Sequence, residues 1–316
     1  MQLQSDARAV SVIDAEVAQR NAERLPVKRR GLGALPWVYL APALIILLVW
    51  QVLPVLYTLY LSVHQATSLL GGAFVGLANY QRLIHDPEIR DSLMATIWFT
   101  IGTVPVGAAI ALGLALLLFE KIPGIGFFRT MVLLPFITPV VATTIVWQWI
   151  FNTQYGFLDS ILYWMHVPTV DWFTSPFWSM VILVAYSLWH EVGFTVLIML
   201  AGLTNIDREV REAARIDGAN GWREFRFITL PLMSPWLFFV LVINSIGAFK
   251  VFTQVLTLTG GGPGHATTIA GFLIEQVAFN FFDLPYAAAI SAAVLALVAI
   301  LTMMQFAFSR RMVFYQ

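Results

Sequence analysis

Six stretches of this sequence carry no Asp, Glu, Lys or Arg, or only one, over a length that can cross a bilayer. They lie at 36–63, 92–119, 130–151, 176–203, 235–259 and 286–308, the fourth interrupted by Glu191 and the fifth by Lys250. A transmembrane helix needs about 20 mostly apolar residues, and all six qualify. Only 11% of the 316 residues are charged, where a soluble domain averages about 25%. Most of the surface is therefore not built to meet water. Six helices is the most economical count, so the expected fold is an all-α membrane protein with six transmembrane helices.

Lysine and arginine gather on alternate loops, as they do on the cytoplasmic side of membrane proteins. Arg8, Arg20, Arg24, Lys28, Arg29 and Arg30 precede the first span, and Lys121 and Arg129 follow the second. Arg208, Arg211, Arg215, Arg223 and Arg226 follow the fourth, and Arg310 and Arg311 close the chain. The opposite loops hold only Arg82 and Arg90. Both termini and the 204–234 loop are thus expected in the cytoplasm. The organisation reads as a cytoplasmic tail at 1–33, a six-span domain at 34–309 and a second tail at 310–316, in the cytoplasmic (inner) membrane. The first tail is too long and too charged for a cleavable signal peptide. Its Val10, Ile13 and Val17 stand at helical spacing, which fits an amphipathic helix as well as a mobile tail. The piece 156–166, with Tyr163 and Trp164, reads as a helix lying at the outer interface, where such residues are common.

A weak internal echo pairs Phe128-Arg129 ahead of Pro135 and Pro139 with Phe225-Arg226 ahead of Pro231 and Pro235. Both proline pairs are expected at the cytoplasmic start of a span, where a helix's first turn tolerates them.

Several chemistries are excluded. Cysteine is absent, which removes disulfides, iron–sulfur clusters and thiolate zinc sites. His64, His85, His166, His190 and His265 are scattered, so no metal site is supported. Zero net charge gives no basic excess for nucleic acid. The three lysines, Lys28, Lys121 and Lys250, follow no phosphate-loop glycines, so this chain is not expected to hydrolyse ATP.

The basic loop between spans four and five has its own architecture. Asn205 or Asp207 can cap a short helix running to Asp217, and Gly218 supplies a left-handed stop. Asn220 can cap a second helix through about residue 227, bounded by Pro231. On the first helix Val210, Ala213, Ala214 and Asp217 share one face. The alanines leave a shallow strip that another protein can approach, flanked by Glu212 and Arg215, whose charges can fix a docking register.

The order Glu212-Ala213-Ala214, three residues, Gly218, nine residues, Ile228, one residue, Leu230-Pro231 resembles the coupling loop of binding-protein-dependent ABC importer permeases. Every fixed position of that pattern is matched. Thr259-Gly260-Gly261-Gly262-Pro263 resembles the carbohydrate-uptake branch, the maltose and glycerol-phosphate permeases among them. The resemblance implies a permease subunit that moves a sugar, oligosaccharide or sugar-like solute by alternating access. It implies as partners a second homologous permease, two ATPase subunits holding ATP and Mg, and an extracytoplasmic solute-binding protein, with no cofactor on this chain.

Glu191 and Lys250 are the charges inside spans, where a lipid-facing position at the bilayer centre costs about 3 kcal/mol each. Glu191 is expected to face a cavity or a partner, while Lys250 lies near the outer end of its span and can snorkel. The family resemblance places sugar-contact positions at Phe136, Ser187, His190, Glu191, Phe194, Asn244, Gly247, Ala248 and Val251. Aromatic faces there suit a sugar ring, and carboxylate, amide and imidazole groups suit its hydroxyls; helix packing explains any one of these residues nearly as well. The alternative is a self-sufficient secondary transporter with Glu191 as ion carrier. Such folds use interrupted helices, and the sequence displays none.

Overall fold

The computed structural model describes residues 35–65, 72–120 and 123–312. The expectations for the 1–33 tail, including the Val10, Ile13 and Val17 face, fall outside these residues, as do Lys121 and residues 313–316. The described residues form helices joined by turns and irregular segments, with no strand among them beyond an isolated bridge between His64 and Phe74. The described residues divide into two units between Leu56 and Tyr57. The described part of the first is helix Leu35–Leu47, the π turn Leu48–Val52 and the first four residues of helix Leu53–Ser62.

Four helices are long and apolar enough to cross a membrane, or up to six if each of two bent pairs is one span. The four are α1 (Trp37–Ser62), α3 (Pro87–Phe119), α7 (Pro176–Thr204) and α13 (Leu284–Ser309). The first bent pair is α4 (Ile125–Ile137) and α5 (Val140–Ile150), meeting at 96°, and the second is α9 (Gly221–Leu232) and α10 (Ser234–Phe249), meeting at 61°. The shorter elements are α2 (Ala78–His85), α6 (Phe157–Trp164), α8 (Arg208–Ile216), α11 (Thr253–Leu258) and α12 (Ala270–Glu275).

These bends correct the expectation of uninterrupted spans. The stretch 130–151 breaks at Thr138 and Pro139, where the backbone turns extended. A residue before proline is pushed out of the helical region, which ends α4 there. Because α4 starts at Ile125, Pro135 sits in its last turns and not in its first. The stretch 235–259 breaks too: α10 ends at Phe249, Lys250 caps it, and α11 begins at Thr253. Lys250 is exposed at this break, so it interrupts no helix.

Two prolines are carried inside helical paths by widened turns. The π turn Leu48–Val52 precedes Pro54, and Phe225–Thr229 precedes Pro231; Leu53 N–H donates to the Leu48 carbonyl and Leu230 N–H to the Phe225 carbonyl. Proline lacks a donor and crowds the carbonyl four residues back, and a π turn relieves both. The second bracket helix therefore runs on through Pro231 to Leu232, past its expected stop.

The centre of the second unit is α3 packed along α7, with α10 against α3 and α4 against α7. Ala108, Ala111 and Ala115 are buried against Met199, Leu203, Met233 and Val240. Small side chains let helices approach closely in lipid. At Gly193 a Cβ would stand 2.5 Å from the Val132 carbonyl oxygen, so α7 and α4 touch backbone to backbone. Hydroxyls inside the bundle bond back to their own helices, as Thr103 Oγ1 does to the Phe99 carbonyl at 2.7 Å. Such a hydroxyl needs no partner from outside, whereas Ser92 Oγ of α3 is buried without one.

Candidate functional site

The bracket in the 204–234 loop is α8 followed by α9. Asp207 occupies the cap position of α8, and the Asn220 side chain accepts from Arg223 N–H to start α9. Gly218 between them has φ +80°, with nothing within 4 Å of where its Cβ would stand. Glycine is needed there for its backbone conformation alone. The four residues expected to share a docking face divide: Val210, Ala213 and Asp217 are exposed, whereas Ala214 is buried. Ala214 is covered by this chain itself, so that alanine is unavailable to a partner. The large exposed apolar groups nearby are Ile216, Trp222 and Phe227, at 86%, 69% and 71% exposure.

The flanking charges are engaged within the bracket, which the sequence reading did not anticipate. Glu212 accepts from Arg208 Nε one turn earlier. Arg215 donates through Nε to Glu224 Oε2 at 3.0 Å and through Nη2 to Oε1 at 3.4 Å. The Glu224 carboxylate holds the Arg215 guanidinium above its ordinary pKa, by hydrogen bond first and charge second. Arg211 stacks over the Phe119 ring at 4.7 Å, and Arg129 Nη2 donates to the Leu118 carbonyl at 2.9 Å. Both cations meet the C-terminus of α3, whose free carbonyls favour positive charge. In the second half of the motif, Ile228, Leu230 and Pro231 are half-buried, and Leu230 packs into the α3–α7 core.

A second constellation lies among α3, α7 and α10. Ser187, Glu191, Asn244 and Ala248 line one pocket together with Thr103 and Thr195. Asn244 Nδ2 donates to Thr195 Oγ1 at 3.4 Å, and Gln254 Nε2 of α11 donates to Ser187 Oγ at 3.4 Å. The pocket's volume is about 20 Å³, room for one water and far too small for a sugar. Glu191 itself remains exposed at its edge. Among the described residues no ion pair joins Glu191 to Lys250.

Beside this pocket Phe136 and Phe194 stack at 5.2 Å, and His190 Nε2 meets the Thr138 carbonyl oxygen at 3.2 Å. Phe136 and Phe194 are 41% and 37% exposed. Gly247 is also exposed, whereas Val251 is buried in the core beside Gly271. The structure thus gathers Phe136, His190 and Phe194 in one aromatic group and Ser187, Glu191, Asn244 and Ala248 in one pocket. Val251 stands apart from both. Thr103, Thr195 and Gln254 went unnoticed in the sequence. Their signal was available: polar residues within charge-free runs, Thr195 being one helical turn beyond Glu191. Among the described residues no group of His, Asp and Glu is placed to hold a metal.

The family described as binding-protein-dependent transport system inner membrane component has a model that matches residues 104–314. The chain is 36% identical over 251 residues to the trehalose/maltose transport system permease protein MalF of Thermococcus litoralis, covering 79% of this chain and 84% of that one. It is 33% identical over 276 residues to the lactose transport system permease protein LacF of Rhizobium radiobacter, covering 85% and 92%. A chain in the crystal structure of a bacterial alginate ABC transporter, in complex with an alginate pentasaccharide-bound periplasmic protein, superposes with TM-score 0.78. That match covers 88% of this chain and 94% of the other at 21% identity, and so bears on the fold alone.

Proposed function

The chain belongs to the family of binding-protein-dependent transport system inner membrane components, and from that premise we propose that it is the permease subunit of an ATP-driven importer for a sugar, oligosaccharide or sugar-like solute. One observation carries the reading: the ordered motif folds into a separate two-helix bracket, with Gly218 left-handed at its corner and Ile216, Trp222 and Phe227 exposed. Such a bracket suits docking on separate ATPase subunits, which would hold the ATP and Mg. Relatives whose names specify trehalose, maltose and lactose support a carbohydrate cargo. They give no support to a self-sufficient secondary transporter.

In this reading each bent pair is one span, giving six, with both termini and the 204–234 loop in the cytoplasm. Residues 34–309 form the permease domain between tails at 1–33 and 310–316. Glu212, Ala213 and Gly218 serve the coupling surface, while Ala214, Ile228, Leu230 and Pro231 seat the bracket on the spans. Phe136, Glu191, Phe194 and Gly247, exposed on one chain, line the cargo path together with a second homologous permease. The pocket's small volume favours that completion. His190, Ser187, Asn244 and Ala248 support this wall from behind. A solute-binding protein delivers cargo from outside, and ATP binding switches the path between its inward and outward states.

The test is co-expression with the second permease, the ATPase and the binding protein, followed by uptake of radiolabelled trehalose, maltose and lactose into proteoliposomes. Uptake should require ATP and every subunit. Ion-driven uptake by this chain alone would overturn the reading and restore Glu191 as a carrier.

A further inference from the structure

The corner of the bracket is open where a lever should be stiff. Gly218 has no neighbour within 4 Å of its would-be Cβ, so packing does not set the angle there. Two short backbone bonds close the turn, from Gly218 N–H to the Arg215 carbonyl and from Ala219 N–H to the Ala214 carbonyl. Beyond them, among the described residues, one side-chain hydrogen-bonded link ties the legs, the two-pronged contact of Arg215 on α8 with Glu224 on α9. Glu224 is a built part of this link: its side chain is 11% exposed, against 67% for Arg215. A carboxylate withdrawn from water is costly unless a cation meets it. The α9 leg then runs unbroken through the π turn to Leu232 and into the 61° bend with α10.

We propose that the Arg215–Glu224 pair is a strut that fixes the angle between α8 and α9, so that a push on α8 moves α10 instead of flexing the corner at Gly218. Arg215 then acts on transport through Glu224, as a positioning residue, and not through an acidic group of the ATPase. The inference rests on the importer reading for its consequence, but the stiffness it asserts belongs to this chain alone.

The two readouts are chosen to keep those apart. The sequence has no cysteine, so Glu209→Cys and Arg226→Cys, both exposed, place one spin label on each leg of the assembled complex in nanodiscs. Pulsed dipolar spectroscopy should give a single narrow distance distribution. Arg215→Gln should widen it about twofold, because it strands a buried carboxylate, and Glu224→Gln should widen it less, because it leaves only an exposed cation unpaired. The double reversal Arg215→Glu with Glu224→Arg should narrow it again.

The second readout is stimulation of MgATP hydrolysis by the binding protein presented with a mixture of trehalose, maltose and lactose. Stimulation should fall about tenfold in Arg215→Gln and about threefold in Glu224→Gln, and recover in the reversal, with the ATPase still co-eluting throughout. Unchanged distance distributions in both single variants would overturn the strut. So would loss of ATPase binding in Arg215→Gln with Glu224→Gln silent, the pattern of a direct docking contact. If the unmodified complex shows no stimulation, the importer reading is at fault, and the distance distributions still decide the strut.

Discussion

Gly193→Ala should loosen the wall of the proposed cargo path, and the expected cost can be worked from the geometry. A Cβ at residue 193 would lie 2.5 Å from the Val132 carbonyl oxygen and 3.1 Å from Leu133 Cα, where ordinary contact begins at 3.4 Å. The obstacle is backbone, which no rotamer change can clear, so α7 and α4 must part by about 0.9 Å. Overpacking of this kind costs about 1–3 kcal/mol. Replacing a helical glycine by alanine returns ~1 kcal/mol through helix propensity, a gain that Gly247→Ala shares, leaving a net loss of about 0–2 kcal/mol. The same parting would stretch the 3.2 Å contact of His190 with the Thr138 carbonyl beyond hydrogen-bonding range and separate Phe136 from Phe194. Gly247→Ala is the matched control, because its Cβ meets nothing within 4 Å. Thermal midpoints of the detergent-solubilised complex, read beside sugar uptake, compare the two. Gly193→Ala should melt lower than the unmodified protein, and Gly247→Ala should not. Equal midpoints for the two variants would refute the claim that α4 and α7 meet backbone to backbone at Gly193.

Other outcomes follow from the same geometry. Glu191→Leu should abolish most uptake and Glu191→Gln only part of it, with complex yield unchanged; normal transport by Glu191→Leu would remove it from the cargo path. Gly218→Ala should cost about 1 kcal/mol, the strain of a left-handed alanine, and stay active. Gly218→Pro, which forbids φ +80°, should uncouple ATP hydrolysis from uptake, and preserved coupling would show that the corner is not needed. Gly271→Ala would bring a Cβ to 2.5 Å from the Val251 carbonyl oxygen; lower complex yield is expected, and an unchanged yield would mean the break after α10 is free to move. Single cysteines at Gly221 and Gly264, in a chain without others, should react with an impermeant reagent from the inside and the outside respectively. The opposite pattern would reverse the topology.

What the sequence determined alone follows from forces that act locally. Charge-free runs must become helices in lipid, so the places of α1, α3, α7 and α13 were legible from composition. The corner at Gly218 and the cap at Asn220 were legible too, because turn and cap preferences depend on one residue and its neighbours. The ordered run from Glu212 to Pro231 was legible because its spacing is carried along one loop. Contacts between segments far apart in the chain were not. Pro139 reads equally well as a helix start or a break, and the 96° angle between α4 and α5 appeared only in the folded chain. Asn244 with Thr195, and Gln254 with Ser187, join residues 49 and 67 apart, a pairing with no periodic trace. Arg215 and Glu224 were separately visible as charges, yet only the folded corner brought them to 3.0 Å. Val251 looked like its neighbours on one helical face until the break at Lys250 turned it into the core. Helix and turn propensities act within a few residues, whereas burial and pairing arise only when distant segments meet, and those were decided by the tertiary structure.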